Sequence, residues 1–277
     1  MQYQIAGGDS LTWTVCEEGF KNIINNGNKF MTGNGYMGFR GTLEEYCKSE
    51  LVACNIAGLY DKQGNNWREP INAPNGFYTS LTVDGMEIGV LKVEPIEHEQ
   101  ILELKEGLHR RSTIWDTMCG RVTINAERFV SLANAHLMCL KYSLSVERSC
   151  DLILKTGIDG DVWDINGPHL ENYVLEDGNG VLSISAITQE LKIPVVVAEV
   201  FNKSFLAEEF TEKSEKGIFR IIKIKAEPEI EYTIYKYVVV YTGNDDVVHI
   251  MKECTETAKK ASLDGYDRAL SEHIMSW

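Results

Sequence analysis

The strongest constraint on this chain is a succession of short segments in which apolar residues alternate with polar ones or cluster as β-branched runs. "LTWTV", "SLTVDG", "EQILELK", "GRVTINAERFVS", "HLMCLKYSLSVE", "DLILKTGID", "GVLSISAIT", "IPVVVAEVFN", "GIFRIIKIKA" and "YTIYKYVVVYTG" follow one another from Leu11 to Gly243. A period of two suits a strand with one face on a core, and about a dozen such segments are more than one small sandwich uses. Between them lie dipeptides that tolerate positive φ: Asn26-Gly27, Asn34-Gly35, Asp84-Gly85, Asp159-Gly160 and the Asp177-Gly178-Asn179-Gly180 quartet. They predict tight turns and antiparallel hairpins. A chain of 277 residues is long enough to bury a sizeable core as one large β domain.

Within residues 137–146, Met138, Leu140, Tyr142, Leu144 and Val146 share the face expected to be buried. Leu137, Cys139, Lys141, Ser143 and Ser145 share the other. The period then changes. Val247, Ile250, Met251, Cys254, Ala258 and Ala261 form the stripe of an amphipathic helix, with Asn244 to Asp246 as its capping, acidic start. Ser262 to Gly265 break it, and Tyr266, Ala269, Leu270, Ile274 and Trp277 form a second stripe. No terminating glycine or proline follows, so the chain is expected to be the N-terminal part of something longer. These patterns predict a β domain over 1–243 and a helical segment over 244–277. "FTEKSEKG", 210–217, reads either as a linker or as a charged, solvated hairpin.

An excess of 41 acidic over 27 basic residues gives a formal charge of −14, which opposes binding to nucleic acid or to an anionic membrane. No apolar run is long enough to span a bilayer. The opening "MQYQIAGGDSLTW" lacks the basic and apolar segments of a secretory signal, so a cytoplasmic location is expected. Seven cysteines at irregular spacing, with no Cys-x-x-Cys pair, point to free, mostly buried thiols rather than a metal site or disulfides.

Three stretches carry candidate chemistry. In "NGYMGFRGTLEE", 34–45, Tyr36, Gly38 and Arg40 point one way from a strand and Met37, Phe39 and Gly41 the other. Arg40 is expected to fork onto Glu44 or Glu45 and close the strand end. Adjacent glutamates on a strand face opposite sides, so this pair does not suit an acid and base flanking one bond. "LYDKQGNNWREPINAPNGF", 59–77, reads as a long polar loop. Its Trp67, Arg68, Glu69, Asn72 and Asn75 are suited to stack on and hydrogen-bond a sugar, and a surface loop packed by Trp67 is the plainer reading. "GIDGDVWDINGPHL", 157–170, gathers Asp159, Asp161 and Asp164 without the spacing of a calcium loop. Asx turns and an Asn166-Gly167 hairpin, with His169 at a strand start, are expected there. The six histidines are scattered and no nucleophile or phosphate-loop motif occurs, so no catalytic residue, metal or cofactor is assigned.

Taken together, "NGYMGFRGTLEE", "IAGLYD" (56–61), "REPINAPN" (68–75), "GLHRRSTIWDTMCGRVTINAERFVSLANAHL" (107–137) and "GIDGDVWDINGPHL" resemble, in order and spacing, the N-terminal domain of glycoside hydrolase family 65. The resemblance runs from about residue 15 to the end of the chain. It implies a large antiparallel super β-sandwich resembling the galactose mutarotase fold, then a helical linker whose start is 244–277, then an (α/α)6 catalytic barrel. It also implies inverting phosphorolysis of an α-glucosidic bond, with inorganic phosphate as co-substrate. In that chemistry a barrel glutamate protonates the leaving oxygen, and β-glucose 1-phosphate is released. None of those catalytic groups matches a position here. By resemblance, Gly35, Gly38, Arg40, Gly41 and Glu44 belong to a structural motif. Glu69, Asn72, Pro74 and Asn75 match a loop that reaches toward the barrel, although relatives often carry an aromatic where Gly76 precedes Phe77 here. The resemblance implies a non-catalytic domain that braces the barrel and a homodimer. Two other expectations come from different classes: a carbohydrate-binding module acting through Trp67, and a mutarotase-like epimerase whose acid is His109, His136 or His169.

Overall fold

The computed structural model describes residues 13–20 and 23–277. The expectation that the opening residues carry no signal falls largely on residues outside that description. Among the described residues, β1 (Thr14–Glu18) is followed by helix α1 (Ile23–Lys29), β2 (Thr32–Gly33), β3 (Met37–Phe39), β4 (Cys54–Asp61) and β5 (Glu69–Asn72). Next come β6 (Thr79–Val83), β7 (Met86–Ile88), β8 (Glu97–Glu103), β9 (Leu108–Thr117), β10 (Gly120–Val130), β11 (Leu137–Val146) and β12 (Cys150–Asp159). The last strands are β13 (Leu170–Gly178), β14 (Val181–Thr188), β15 (Pro194–Lys203), β16 (Glu208–Lys213), β17 (Gly217–Ala226) and β18 (Tyr232–Thr242). Helices α2 (Ile250–Asp264) and α3 (Tyr266–Ser276) close the order.

The strands make three sheets. Nine run in the order β1-β8-β9-β10-β11-β18-β15-β14-β13, five as β16-β17-β12-β6-β7 and four as β2-β3-β4-β5, and every pairing is antiparallel. One apolar core unites Trp115, Tyr142 and Val238 of the large sheet with Leu154 and Ile222 of the second and Met37, Phe39 and Ile56 of the third. The two smaller sheets therefore lie on one face of the large one, which makes the expected large β-sandwich.

On the opposite face of the large sheet a separate core forms under α2 and α3, from Leu137, Cys139, Phe129 and Val239 with Cys254, Ala258, Ala261, Tyr266 and Ala269. This corrects the one-sided reading of residues 137–146. Met138, Leu140 and Tyr142 enter the sandwich core, but Leu137 and Cys139 are equally buried because the helices cover their side. The small residues of α2 let it lie close to the strands, and the Cys254 thiol reaches the Val239 carbonyl at 3.2 Å. The start of α2 also departs from expectation. His249 is the residue before the helix and makes no side-chain cap. Asp245 instead accepts the Thr242 N–H at 2.6 Å and the Tyr36 hydroxyl at 2.7 Å, tying the strand end to the β2–β3 turn.

Most turn readings hold. Asp84-Gly85 (φ 44° and 83°) joins β6 to β7, and Asn179-Gly180 (φ 54° and 78°) joins β13 to β14. Asn34-Gly35 turns between β2 and β3, and "FTEKSEKG" is the solvated β16–β17 hairpin. Asn26-Gly27 is a correction: both residues are buried inside α1, where the Arg40 side chain packs on Gly27. Neither Asp159-Gly160 nor Asn166-Gly167 makes a hairpin, because β12 and β13 belong to different sheets and a loop must cross between them. All seven cysteines are free, and four of them are buried.

Candidate functional site

The loop between β4 and β5, expected to be polar and solvated, is instead drawn inward at its ends. Asp61, the last residue of β4, and Glu69, the first of β5, are fully buried, and His169 lies between them. The imidazole Nδ1 is 3.2 Å from Asp61 Oδ2 and Nε2 is 2.6 Å from Glu69 Oε1. Each ring nitrogen faces a carboxylate oxygen, so each contact requires a proton between its partners. The remaining oxygens are satisfied by loops. Asp61 accepts the Gln189 and Glu190 N–H groups at 3.1 and 2.9 Å, and Glu69 accepts the Asn166 backbone N–H at 2.7 Å and its side-chain amide at 2.9 Å. Burial alone would raise the Glu69 carboxyl, but these donors together hold it below the ordinary range.

Asn72 extends the assembly. Its backbone N–H donates to Asp164 Oδ1 at 3.0 Å and its side chain to the Trp163 carbonyl at 2.6 Å. Burial pushes the Asp164 carboxyl up to about 6. Asn75 bridges to the end of β12, its N–H donating to the Asp159 carbonyl at 2.7 Å, while its side-chain oxygen accepts from Phe77. Asp161 N–H donates to Asp159 Oδ1 at 3.0 Å, an Asx turn as expected.

The five residues expected to meet a sugar are therefore divided. Glu69, Asn72 and Asn75 are at most 4 % exposed and are committed to internal hydrogen bonds, which corrects their reading as ligand-facing groups. Trp67 stands 56 % exposed, and Arg68 forks onto Glu190 through Nε and Nη2 at 3.1 and 2.8 Å. Trp67 does not pack the loop down, as the plainer reading required. The polar clasp beneath it does. Asp61 and His169 are the members that sequence reasoning did not join to this site, because the contacts span 108 and 100 residues.

The glycine-rich motif is corrected in its ion pairs. Arg40 does not reach Glu44 or Glu45; its Nε donates to Asn28 Oδ1 at 3.0 Å and its Nη1 to the Leu51 carbonyl at 2.8 Å. Residues 44 and 45 form a turn rather than a strand, so both glutamates reach the same guanidinium. Arg111 of β9 donates to Glu44 at 2.8 Å and through Nη2 to Glu45 at 2.9 Å, and Arg128 of β10 donates to Glu44 at 2.8 Å. Burial would raise the Glu44 carboxyl, but Arg128 and Arg111 outweigh it and hold it below its usual range. Gly35 (φ 89°) serves the turn, Gly38 faces open space beside Thr32, and Gly41 lies so close to Phe30 that a Cβ there would sit 2.4 Å from the phenylalanine Cβ.

None of the three histidines offered as an epimerase acid is free for that role. His109 and His169 are fully buried, and burial holds the His109 imidazole well below its usual value. His136 stacks on Tyr241 at 3.7 Å, with Nδ1 at the Val240 carbonyl.

Comparison with known proteins adds an independent finding. The model of the glycosyl hydrolase family 65 N-terminal domain matches residues 16–277. A nigerose phosphorylase of Lachnoclostridium phytofermentans is 38% identical over 96% of this chain and 39% of its own length. For a 1,2-alpha-glucosylglycerol phosphorylase of Bacillus selenitireducens the figures are 32%, 98% and 36%. A kojibiose phosphorylase of Halothermothrix orenii gives 30%, 99% and 38%. The chain thus spans under two fifths of the length of these curated relatives. A solved structure from the human microbiome, assigned as a kojibiose phosphorylase, superposes with a TM-score of 0.85 at 18% identity. It covers 95% of this chain and 37% of that one, which shows the shared fold.

Proposed function

The chain belongs to the glycosyl hydrolase family 65 N-terminal domain family, and from that premise we propose that it is the non-catalytic support domain of an α-glucoside phosphorylase. Residues 1–243 form the β-sandwich in this reading, and residues 244–277 begin the helical linker to an (α/α)6 barrel that carries the catalytic glutamate and the phosphate site. The sandwich braces that barrel and a homodimer, in the cytoplasm. The barrel cleaves an α-linked glucose disaccharide with inorganic phosphate, as the names of the relatives suggest. Trp67 and Arg68 form the part of the β4–β5 loop that meets the barrel or its sugar. Glu69, Asn72 and Asn75 hold that loop in place from beneath.

The observation that carries this reading is one of coverage. The family match takes in the sandwich and the closing helices α2 and α3, while the alignments to the relatives occupy only 36% to 39% of their lengths. The testing experiment compares this chain with the complete product of its gene for phosphate-dependent release of glucose 1-phosphate from nigerose, kojibiose, maltose and trehalose. Release is expected only from a product that extends beyond Trp277, and turnover by this chain alone overturns the proposal. Exposure of Trp67 gives the carbohydrate-binding reading its one support. Calorimetric titration with glucose oligosaccharides, with and without Trp67→Ala, tests it, and flat titrations for both proteins remove it.

A further inference from the structure

Five Asn-Gly pairs occur in the sequence, at residues 26, 34, 75, 166 and 179, and the structure treats one of them differently from the rest. In four, the asparagine is held. Asn26 is buried within α1. Asn34 donates to the Ser131 and Ala135 carbonyls at 2.6 and 2.9 Å and accepts from the Tyr36 and Met37 N–H groups at 3.0 and 2.9 Å. Asn75 is 4 % exposed and accepts the Phe77 N–H at 2.9 Å. Asn166 is clamped on Glu69 through its backbone and side-chain nitrogens at 2.7 and 2.9 Å.

Asn179 is exposed at the tip of the β13–β14 hairpin, and among the described residues its side chain has no hydrogen-bond partner. The ladder closes on the Gly178–Val181 pair, so the Gly180 N–H lies in the turn, outside the strand pairing. Gly180 is exposed, has φ 78° and has nothing within 4 Å of where a Cβ would stand; its carbonyl accepts from Arg220 Nη2 at 3.2 Å, which leaves its N–H in the turn. We propose that Asn179-Gly180 is a site of spontaneous, water-dependent deamidation, selected from the five pairs by the fold.

In the reaction the Gly180 nitrogen attacks Asn179 Cγ and loses its proton, and the side-chain amide leaves as ammonia, closing a succinimide. Water then opens either ring carbonyl, giving aspartate or isoaspartate. The net change is one water consumed and one ammonia released, with no oxidant or reductant. The product carries a new carboxylate two residues from Asp177, whose side chain accepts the Thr211 hydroxyl at 2.6 Å and so ties β13 to β16. The isoaspartyl form also lengthens the backbone inside a two-residue turn, where length fixes the register.

The test incubates the folded chain at mildly alkaline pH and follows each Asn-Gly peptide by mass spectrometry, beside a sample kept in denaturant. The expected result is conversion at Asn179 at least several-fold faster than at residues 26, 34, 75 and 166 in the folded sample, with the five rates converging in denaturant. Conversion led by any other pair overturns the proposal. So does an Asn179 that stays intact in the folded sample over the time in which the denatured chain converts. Neither measurement requires a variant to fold.

Discussion

Beneath residues 40–45 two guanidiniums, Arg111 and Arg128, meet two carboxylates, Glu44 and Glu45, whereas at the loop end three carboxylates, Asp61, Glu69 and Asp164, surround a single imidazole. The first cluster is built on neighbouring strands and joined by charge-assisted hydrogen bonds whose cationic side never titrates in the working range. The second is built where the ends of β4 and β5 meet loops, and backbone N–H groups of residues 72, 166, 189 and 190 supply much of the compensation. A carboxylate that collects such donors orders the segments that carry them. The difference teaches that charge buried between strands acts as a brace, while charge buried where loops meet acts as a fastener for the segments whose backbone donors it collects.

The largest expected effect comes from breaking the brace. Glu44→Ala leaves two guanidiniums buried without their shared partner and is expected to cost about 3–5 kcal/mol in chemical denaturation. Glu45→Ala should cost about 1 kcal/mol, because Arg111 retains Glu44. If the two variants lose equally, Glu44 is not the keystone of that cluster. Next in size is His169→Ala, which strips Asp61 and Glu69 of their shared hydrogen-bond partner and should cost about 2–4 kcal/mol. Amide exchange should rise first in the loops at 62–68, 160–169 and 189–193. Loss confined to the opposite end of the sandwich would break the comparison.

The pH response separates the two clusters further. The Glu44 carboxyl is depressed, so its contribution is present above its unfolded value of about 4.5 and is lost as pH falls through the folded value. Asp164 is raised from 3.8 to about 6, so its contribution is full below 3.8 and is lost as pH rises through about 6. Asp164→Asn is therefore expected to be neutral near pH 4 and to stabilise by about 1 kcal/mol at pH 8, after allowance for partial solvent exposure. Thermal melts at the two pH values check this, and equal shifts at both would remove the proton dependence. The smallest effect belongs to Trp67→Ala. More than half exposed, the indole should change stability by no more than about 0.5 kcal/mol, and a larger loss would return it to the role of loop anchor.

Much of the sandwich was legible because strands write their periodicity locally. The segments ending at Val146, Asp159, Thr188 and Thr242, the turns at Asp84-Gly85 and Asn179-Gly180, and the helical stripes of Cys254, Ala258 and Ala261 need no distant partner to be seen. The ion pairs were not legible. Arg40 offered the nearest cation to Glu44, yet Arg111 and Arg128 take it from 67 and 84 residues away, because strand pairing lays β9 and β10 beneath the turn. His169 and Asp61 stayed hidden for the same reason. A sequence displays candidate charges, but which ones meet is decided by topology. The candidate sugar-facing set failed in part on burial: a run rich in Asn, Glu and Pro looks solvated until its side chains prove to be the filling between loops.

The two cores that flank the large sheet bear on how β11 finds its alignment. With Leu137 and Cys139 facing the helices and Met138 and Leu140 facing the sandwich, the first half of the strand is oily on both sides. A slip of one residue, which turns every side chain to the opposite face, would meet little resistance there. The second half provides it. Ser143 pairs with Thr233 across the strands, hydroxyl to hydroxyl at 2.7 Å, and Lys141 remains partly exposed. Shifted by one place, the ammonium and the hydroxyl would enter the greasy interior. A few polar residues thus act as the strand's alignment marks, and replacing Lys141 and Ser143 with leucine would erase them.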